Sequence, residues 1–319
     1  DEGSMLPAPF SSNSGNSATV AAKKRRLQLL AVAGVAVVFL VYYITYVGPG
    51  ASGWALELRH ELCIHKRATT TERGRKVGAY EQEKIRGEET AVIVMDMWDH
   101  HCCEAAEDRA ALLAPHINNT VSTLREKGAL IVHIPHNVID FYKGTGARKR
   151  AQQYANTPLP NPVKSAEARR DIVENTVPPV TVDNDPRMTC LCEAVPDPSR
   201  RYTRQTEVIH IDDEHDAVTS DPQELHGLFQ AKGIKRVLYM GVHLNICVLW
   251  YRQTSLIPVS ELGYDVMVVR DLTDVLSEVQ HPEQLHSFKN AAMLNHIEQN
   301  WAPTIDSSQI LRQHAMHCT

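Results

Sequence analysis

Residues 236–248 read RVLYMGVHLNICV. The run from Val237 to Met240 is apolar without a break, as a strand buried on both faces of a parallel sheet requires. Gly241 closes it, a short polar turn follows, and Cys247 stands where a helix is expected to open. A thiol so placed lies at the carboxyl end of a parallel strand and close to a helix N-terminus. Both features favour thiolate and set it in the crevice where open α/β sheets bind ligands. A small buried cysteine packed beneath a helix is equally compatible with this segment alone.

Working outward, strand and helix signals alternate. AVIVMD (91–96) is another uninterrupted apolar run. Residues 105–127 place Leu113, Ile117, Val121 and Leu124 at helical spacing, with Pro115 predicting a kink or a start and Gly128 a stop. ALIVHIP (129–135) predicts a second strand and TEVIHI (206–211) a third. A helix over 221–232 is expected to end at Gly233, and a further helix follows over 246–257. YDVMVVRD (264–271) predicts the fifth strand, 282–299 the last long helix, and APTIDSSQIL the closing of the sheet. Residues 145–203 lack periodicity and are rich in Pro, Asp and Arg, an insertion or lid. Alternation at this spacing predicts a parallel sheet with right-handed crossovers.

The amino-terminal part has a different character. Residues 1–26 form a polar tail that ends in Lys23-Lys24-Arg25-Arg26. Residues 27–48, LQLLAVAGVAVVFLVYYITYVG, carry no charge; as a helix they would extend about 33 Å, enough to cross a bilayer. Tyr42, Tyr43 and Tyr46 gather at the far end, and Gly48-Pro49-Gly50 breaks the run. A cleaved signal peptide is the competing reading of the same stretch. Residues 49–88 are polar with weak helical pattern and are expected to be a connector, leaving 89–319 as the α/β domain. Basic residues cluster before the span, and Arg59 alone follows within the next 15 positions. The positive-inside rule then puts the domain opposite the tail. The absence of an initiator methionine at Asp1 suggests a removed targeting segment. A mitochondrial inner membrane with the domain in the intermembrane space, or an endomembrane type II protein, would account for both signs.

With 33 Lys+Arg against 38 Asp+Glu, the charge balance leaves no nucleic-acid footprint. Seven cysteines in 319 residues are too few for a disulfide scaffold. Cys190-Leu191-Cys192 in the insertion is open to metal binding, redox chemistry, a bridge across the fold, or no role. Asn118-Asn119-Thr120 is a formal glycosylation sequon within a predicted helix. Asp99 and His100, after the first strand, and His136, after the second, are candidate ligands for a divalent metal, although their spacing has no zinc-finger character.

AVIVMDMWD, GVHLNICV and GYDVMVVRDLTD, in this order, resemble the isochorismatase-like cysteine hydrolases over about residues 88–312. That superfamily includes nicotinamidases and isochorismatases. The resemblance implies a doubly wound, six-stranded parallel sheet of order 3-2-1-4-5-6 with helices on both faces. It implies a site made by an Asp after strand one, a Lys after strand three and a Cys after strand four. Asp96 matches the aspartate and Cys247 the nucleophile, while Val242 and His243 match a stretch that often holds a non-proline cis bond and oxyanion donors. The chemistry needs a carboxylate near the thiol, because a base must take its proton and return it to the leaving amine.

The lysine has no counterpart, since none occurs between Lys164 and Lys232 and its position falls near Asp212 or Asp213. An anion there would push the Cys247 thiol toward its neutral form. Arg204 is the candidate substitute cation, with His210 and His215 behind it. Two functions are therefore expected. One is a membrane-anchored accessory subunit of a larger complex, such as a mitochondrial respiratory assembly, with catalysis lost. The other is a tethered amidohydrolase that cleaves a small amide through a Cys247 thioester.

Overall fold

The computed structural model describes residues 61–72, 75–180, 201–277 and 283–312. The tail, the apolar stretch 27–48 and Cys190-Leu191-Cys192 lie outside the described residues. Among the described residues no helix is long and apolar enough to cross a membrane.

The fold is α/β, built on one mixed sheet. β3 (Thr90–Met95), β4 (Leu130–Ile134), β6 (Arg236–Val242) and β7 (Asp265–Asp274) form its centre. β5 (Ala217–Val218) and β8 (Thr304–Ile305) are two-residue strands outside them. β1 (Glu61–Glu72) and β2 (Arg75–Arg86) form an antiparallel hairpin. The order is β2-β1-β8-β7-β6-β3-β4-β5. The expected count of six and the expected order are both corrected by the hairpin, which joins β8 antiparallel through Arg67 and Thr304. Inside it, β5-β4-β3-β6-β7-β8 runs parallel, the arrangement that collects strand ends into one crevice.

Residues 61–72 and 75–86, expected as connector, become strands because Leu62, Ile64 and Ile85 bury completely. TEVIHI does not form the third strand. Its backbone bonds locally and to the loop after β3 (Thr206 N–H to Met97 O, 2.8 Å; Ile209 N–H to Thr206 O, 3.2 Å), and Val208 is exposed.

The central strands show why continuous apolar runs were needed. Ala91, Ile93, Met95, Val237 and Tyr239 bury on one face, and Val92, Val94, Leu238, Met240 and Val242 on the other. Each fully buried side chain of this size contributes about 1.5–3 kcal/mol.

α1 (Glu104–Glu126) covers the second face with Ile117, Val121 and Leu124, and runs through Pro115 without ending there. Asn118 Oδ1 accepts the His210 N–H at 2.9 Å. The insertion supplies α2 (Gly146–Gln152) and α3 (Ala166–Glu174). α4 (Pro222–Lys232), α5 (Leu256–Glu261) and α6 (Glu283–Asn300) cover the first face, and α7 (Ser307–Leu311) lies on the second. The helix expected over 246–257 is instead a π-helical turn, Leu244–Val248, an irregular stretch, and α5.

Candidate active site

Asp96 follows β3 directly and is 1% exposed, with φ at +48°. Its Oδ1 accepts the backbone N–H of His136 at 2.9 Å and faces His136 Nδ1 at 2.9 Å. His136, which follows β4, places its other ring nitrogen 3.3 Å from Thr254 Oγ1. Asp96 Oδ2 is buried with no hydrogen-bond partner.

Gly241 makes this closeness of β3 and β6 possible. Its φ is +103°, and a Cβ there would meet the Met95 carbonyl oxygen at 2.1 Å. The next peptide, Val242–His243, is cis.

Cys247 lies in the π-helical turn and is the free cysteine among the described residues. Cys63, Cys102 and Cys103 are disulfide-bonded. The turn is held on both sides: the Asn245 amide clamps Leu276 (Nδ2 to O, 3.0 Å; Leu276 N–H to Oδ1, 2.9 Å), and Ser255 Oγ donates to Cys247 O at 2.5 Å.

Burial pushes the Cys247 thiol up, and the charge of Asp96 adds to that; the Arg252 guanidinium beside the sulfur acts in the opposite direction. A carboxylate and a cation therefore both flank the sulfur. The cation comes from five residues after the nucleophile. Arg204, the expected substitute, pairs with Glu207 at 2.8 Å and lies over the Phe141 ring. His215 faces Asp212 at 2.9 Å, and the Asp213 carboxylate accepts the Ala147 N–H at 2.9 Å. Asp216 nearby is held at about 2 against its burial, by hydrogen bonds from His133 and Arg125.

Arg252 is positioned by the insertion. Arg169 of α3, 2% exposed, donates from Nε to Trp250 O and from Nη2 to Tyr251 O, both at 2.6 Å, and also to Lys164 O. A cavity of about 480 Å³ lies there, lined by Lys164, Ser165, Arg169, Arg252 and His136 among others. The last two connect it to Cys247 and Asp96.

The three expected metal ligands do not converge. Asp99 accepts from Thr203 N, Thr203 Oγ1 and Arg204 N; His100 faces Glu107 at 3.4 Å; His136 faces Asp96. Among the described residues no group of three or more metal-ligating side chains converges.

His243 is 3% exposed and its Nε2 lies 3.1 Å from His101 Nε2. His101 Nδ1 accepts the Cys103 N–H at 3.0 Å, so His101 donates to His243, whose Nδ1 carries its hydrogen without a partner. Burial, with His101 adjacent, lowers His243 to about 3, and it is neutral at ordinary pH.

The isochorismatase domain family matches residues 90–299, which is more than half of the chain. Among solved structures, the chain is similar to a cysteine hydrolase from Pseudomonas syringae pv. phaseolicola (15% identity, TM-score 0.41, covering 72% of this chain and 93% of that one). It is also similar to an isochorismatase family protein from Burkholderia thailandensis (10%, TM-score 0.38, covering 70% and 93%). A third, an isochorismatase family protein from Desulfovibrio vulgaris, is 13% identical with a TM-score of 0.37 (covering 72% and 99%). No curated protein matches the chain. With an aspartate after the first parallel strand, a free cysteine after the fourth, and a family match that spans both, this chain belongs to the isochorismatase domain family and carries an isochorismatase-like hydrolase domain.

Proposed function

We propose that the chain is a thiol hydrolase that cleaves a C–N bond in a small amide through a thioester on Cys247. The observation that supports this is Arg252: its guanidinium reaches the same sulfur that the carboxylate of Asp96 reaches, and acts on it with the opposite sign. The expectation of lost catalysis rested on the absence of such a cation, and Arg252 removes that ground.

The chemistry follows. The resting thiol is neutral, and its proton passes to Asp96 as the sulfur attacks the amide carbon. Backbone N–H groups of the 242–248 turn hold the oxyanion. Asp96 then gives the proton to the leaving nitrogen, the C–N bond breaks, and a thioester remains. Water attacks the thioester with Asp96 again as base, the S–C bond breaks, and the thiol is restored. His136 holds Asp96 in place throughout, through its backbone N–H and its ring.

Residues 27–48 are proposed to anchor the domain to a membrane, with the basic residues 23–26 on the other side. Three disulfide-bonded cysteines suit an oxidising compartment, which fits the mitochondrial intermembrane space and an endomembrane lumen alike. The accessory reading keeps one supporting observation, a thiol held neutral by burial and by Asp96.

Acid-quenched intact-mass spectra after mixing with a panel of small amides separate the two functions. An acyl adduct on Cys247, absent from Cys247→Ser, is the expected result. No adduct and no hydrolysis across the panel would leave the accessory role. Whether the full chain leaves the membrane alone in mild detergent, or only with partners, tests docking into a larger complex.

A further inference from the structure

We propose that the cavity beside Cys247 is built for an anionic substrate, an amide that carries a carboxylate on its acyl or amine part. The proposal rests on the hydrolase reading and names its substrate class.

Charge carries the argument. Among the described residues, Lys164, Arg169 and Arg252 line the cavity and no Asp or Glu does. Arg169 is nearly fully buried, yet its hydrogen bonds go to the backbone carbonyls of Trp250, Tyr251 and Lys164. Carbonyls satisfy donors without cancelling a charge. Among the described residues no carboxylate pairs with Arg169, and Glu261, its first source of attraction, pairs with Lys164 instead. A buried cation that Glu261 and Glu167 attract without a direct ion pair is only partly compensated, and an anion brought by the ligand offsets the remaining cost.

A second observation lies on Arg252. Its Nε is buried without a hydrogen-bond partner, while the backbone N–H of the same residue is tied to Ser255 Oγ at 2.9 Å. The loop is fixed and a donor is left over. The N-terminus of α3 reaches the same wall through Ser165 and Ala166, and its dipole has the same sign. His136 and Arg252 join this wall to the reacting pair, so a bound carboxylate would hold an amide within reach of the sulfur.

Iodoacetate and iodoacetamide form a near-isosteric anionic and neutral pair of thiol reagents. Their rates at Cys247 are to be measured by peptide mass mapping on the full chain with disulfides intact. The rate ratio, iodoacetate over iodoacetamide, is compared with that of the same chain unfolded in urea. The expected ratio in the folded protein is higher by about tenfold or more, since a charged cleft concentrates counter-ions. It should fall in 0.5 M salt, by several-fold in Lys164→Glu, and less in Lys164→Met. Lys164 is exposed enough for both variants to fold. A folded ratio equal to or below the unfolded one overturns the proposal.

If Cys247 reacts with neither reagent, the hydrolase reading falls, and succinate binding followed by tryptophan fluorescence decides the anion site. Saturable binding weakened by Lys164→Glu upholds it, and no binding overturns it.

Discussion

Replacing Gly241 by alanine should be among the most damaging single-methyl changes in the domain. Two effects add. At φ +103° a side chain is strained in any surroundings, which costs about 1–2 kcal/mol. The new Cβ would also stand 2.1 Å from Met95 O, 2.9 Å from Met95 N and 3.0 Å from Met95 C. All of these are backbone atoms, which cannot rotate away. β3 and β6 must separate locally by about 1 Å to restore ordinary contact, and overpacking of this kind costs about 1–3 kcal/mol. The sum is about 2–5 kcal/mol, and its upper end reaches the range that marks a specific defect.

Two other glycines separate the terms. Gly233, the C-cap of α4, has φ +67° but open space around its Cβ position, so alanine there should cost only the strain, about 1 kcal/mol. Gly78 in β2 has neither the strain nor a neighbour within 4 Å, and alanine there should change stability by no more than about 0.5 kcal/mol. Urea unfolding followed by tryptophan fluorescence measures all three. Equal losses at Gly241 and Gly233 would refute the claim that strand contact at Met95 dictates glycine. Met95 precedes Asp96, so the same variant should also displace that carboxylate and lower any turnover where the fold survives.

Other outcomes concern the site and its surroundings. Arg252→Met should raise the thiol further and cut Cys247 alkylation at neutral pH by about tenfold, the effect of losing one nearby opposite charge; a pH–rate profile reads it. Asp96→Asn should act in the opposite direction on the same assay, speeding alkylation while abolishing any turnover, since the negative charge that holds the proton on sulfur is gone. Asp216, at about 2 when folded against an ordinary 3.8, contributes stability that is present above pH 4 and is lost as pH falls toward 2. Its worth is about 2 kcal/mol, and acid unfolding of Asp216→Asn should lack that limb. Without reductant, alkylation should mark Cys247 and spare Cys63, Cys102 and Cys103.

The residues that were legible in the sequence are those whose environment is dictated by the sheet centre. Val92 to Met95 and Val237 to Met240 must be apolar on both faces, so the runs announce themselves, and Asp96 and Cys247 are fixed by where those runs stop. The edges carry weaker signals. β5 and β8 are two residues each, too short to show a period. TEVIHI alternates like a strand but spends its backbone hydrogen bonds on turns. In the hairpin, Leu62, Ile64 and Ile85 are diluted among charges and threonines that look like linker. Arg252 carries no signal in the sequence, because the resemblance places the cation after the third strand. What decides its role is the irregular backbone of 249–255, held by Arg169 from a distant insertion. His136 reads in the sequence as a metal-ligand candidate, and in the structure its ring and backbone N–H face the carboxylate of Asp96.

The hairpin has a consequence for how copies of the chain meet. By capping β8 it makes β2, twelve residues long, the outermost strand of the sheet on that side among the described residues. Such a margin would recruit a neighbour's strand into a growing ribbon. Glu81, Lys84 and Arg86 stand along it, and burying those charges against a second copy would oppose the joint, so the molecule carries its own guard against stacking edge to edge.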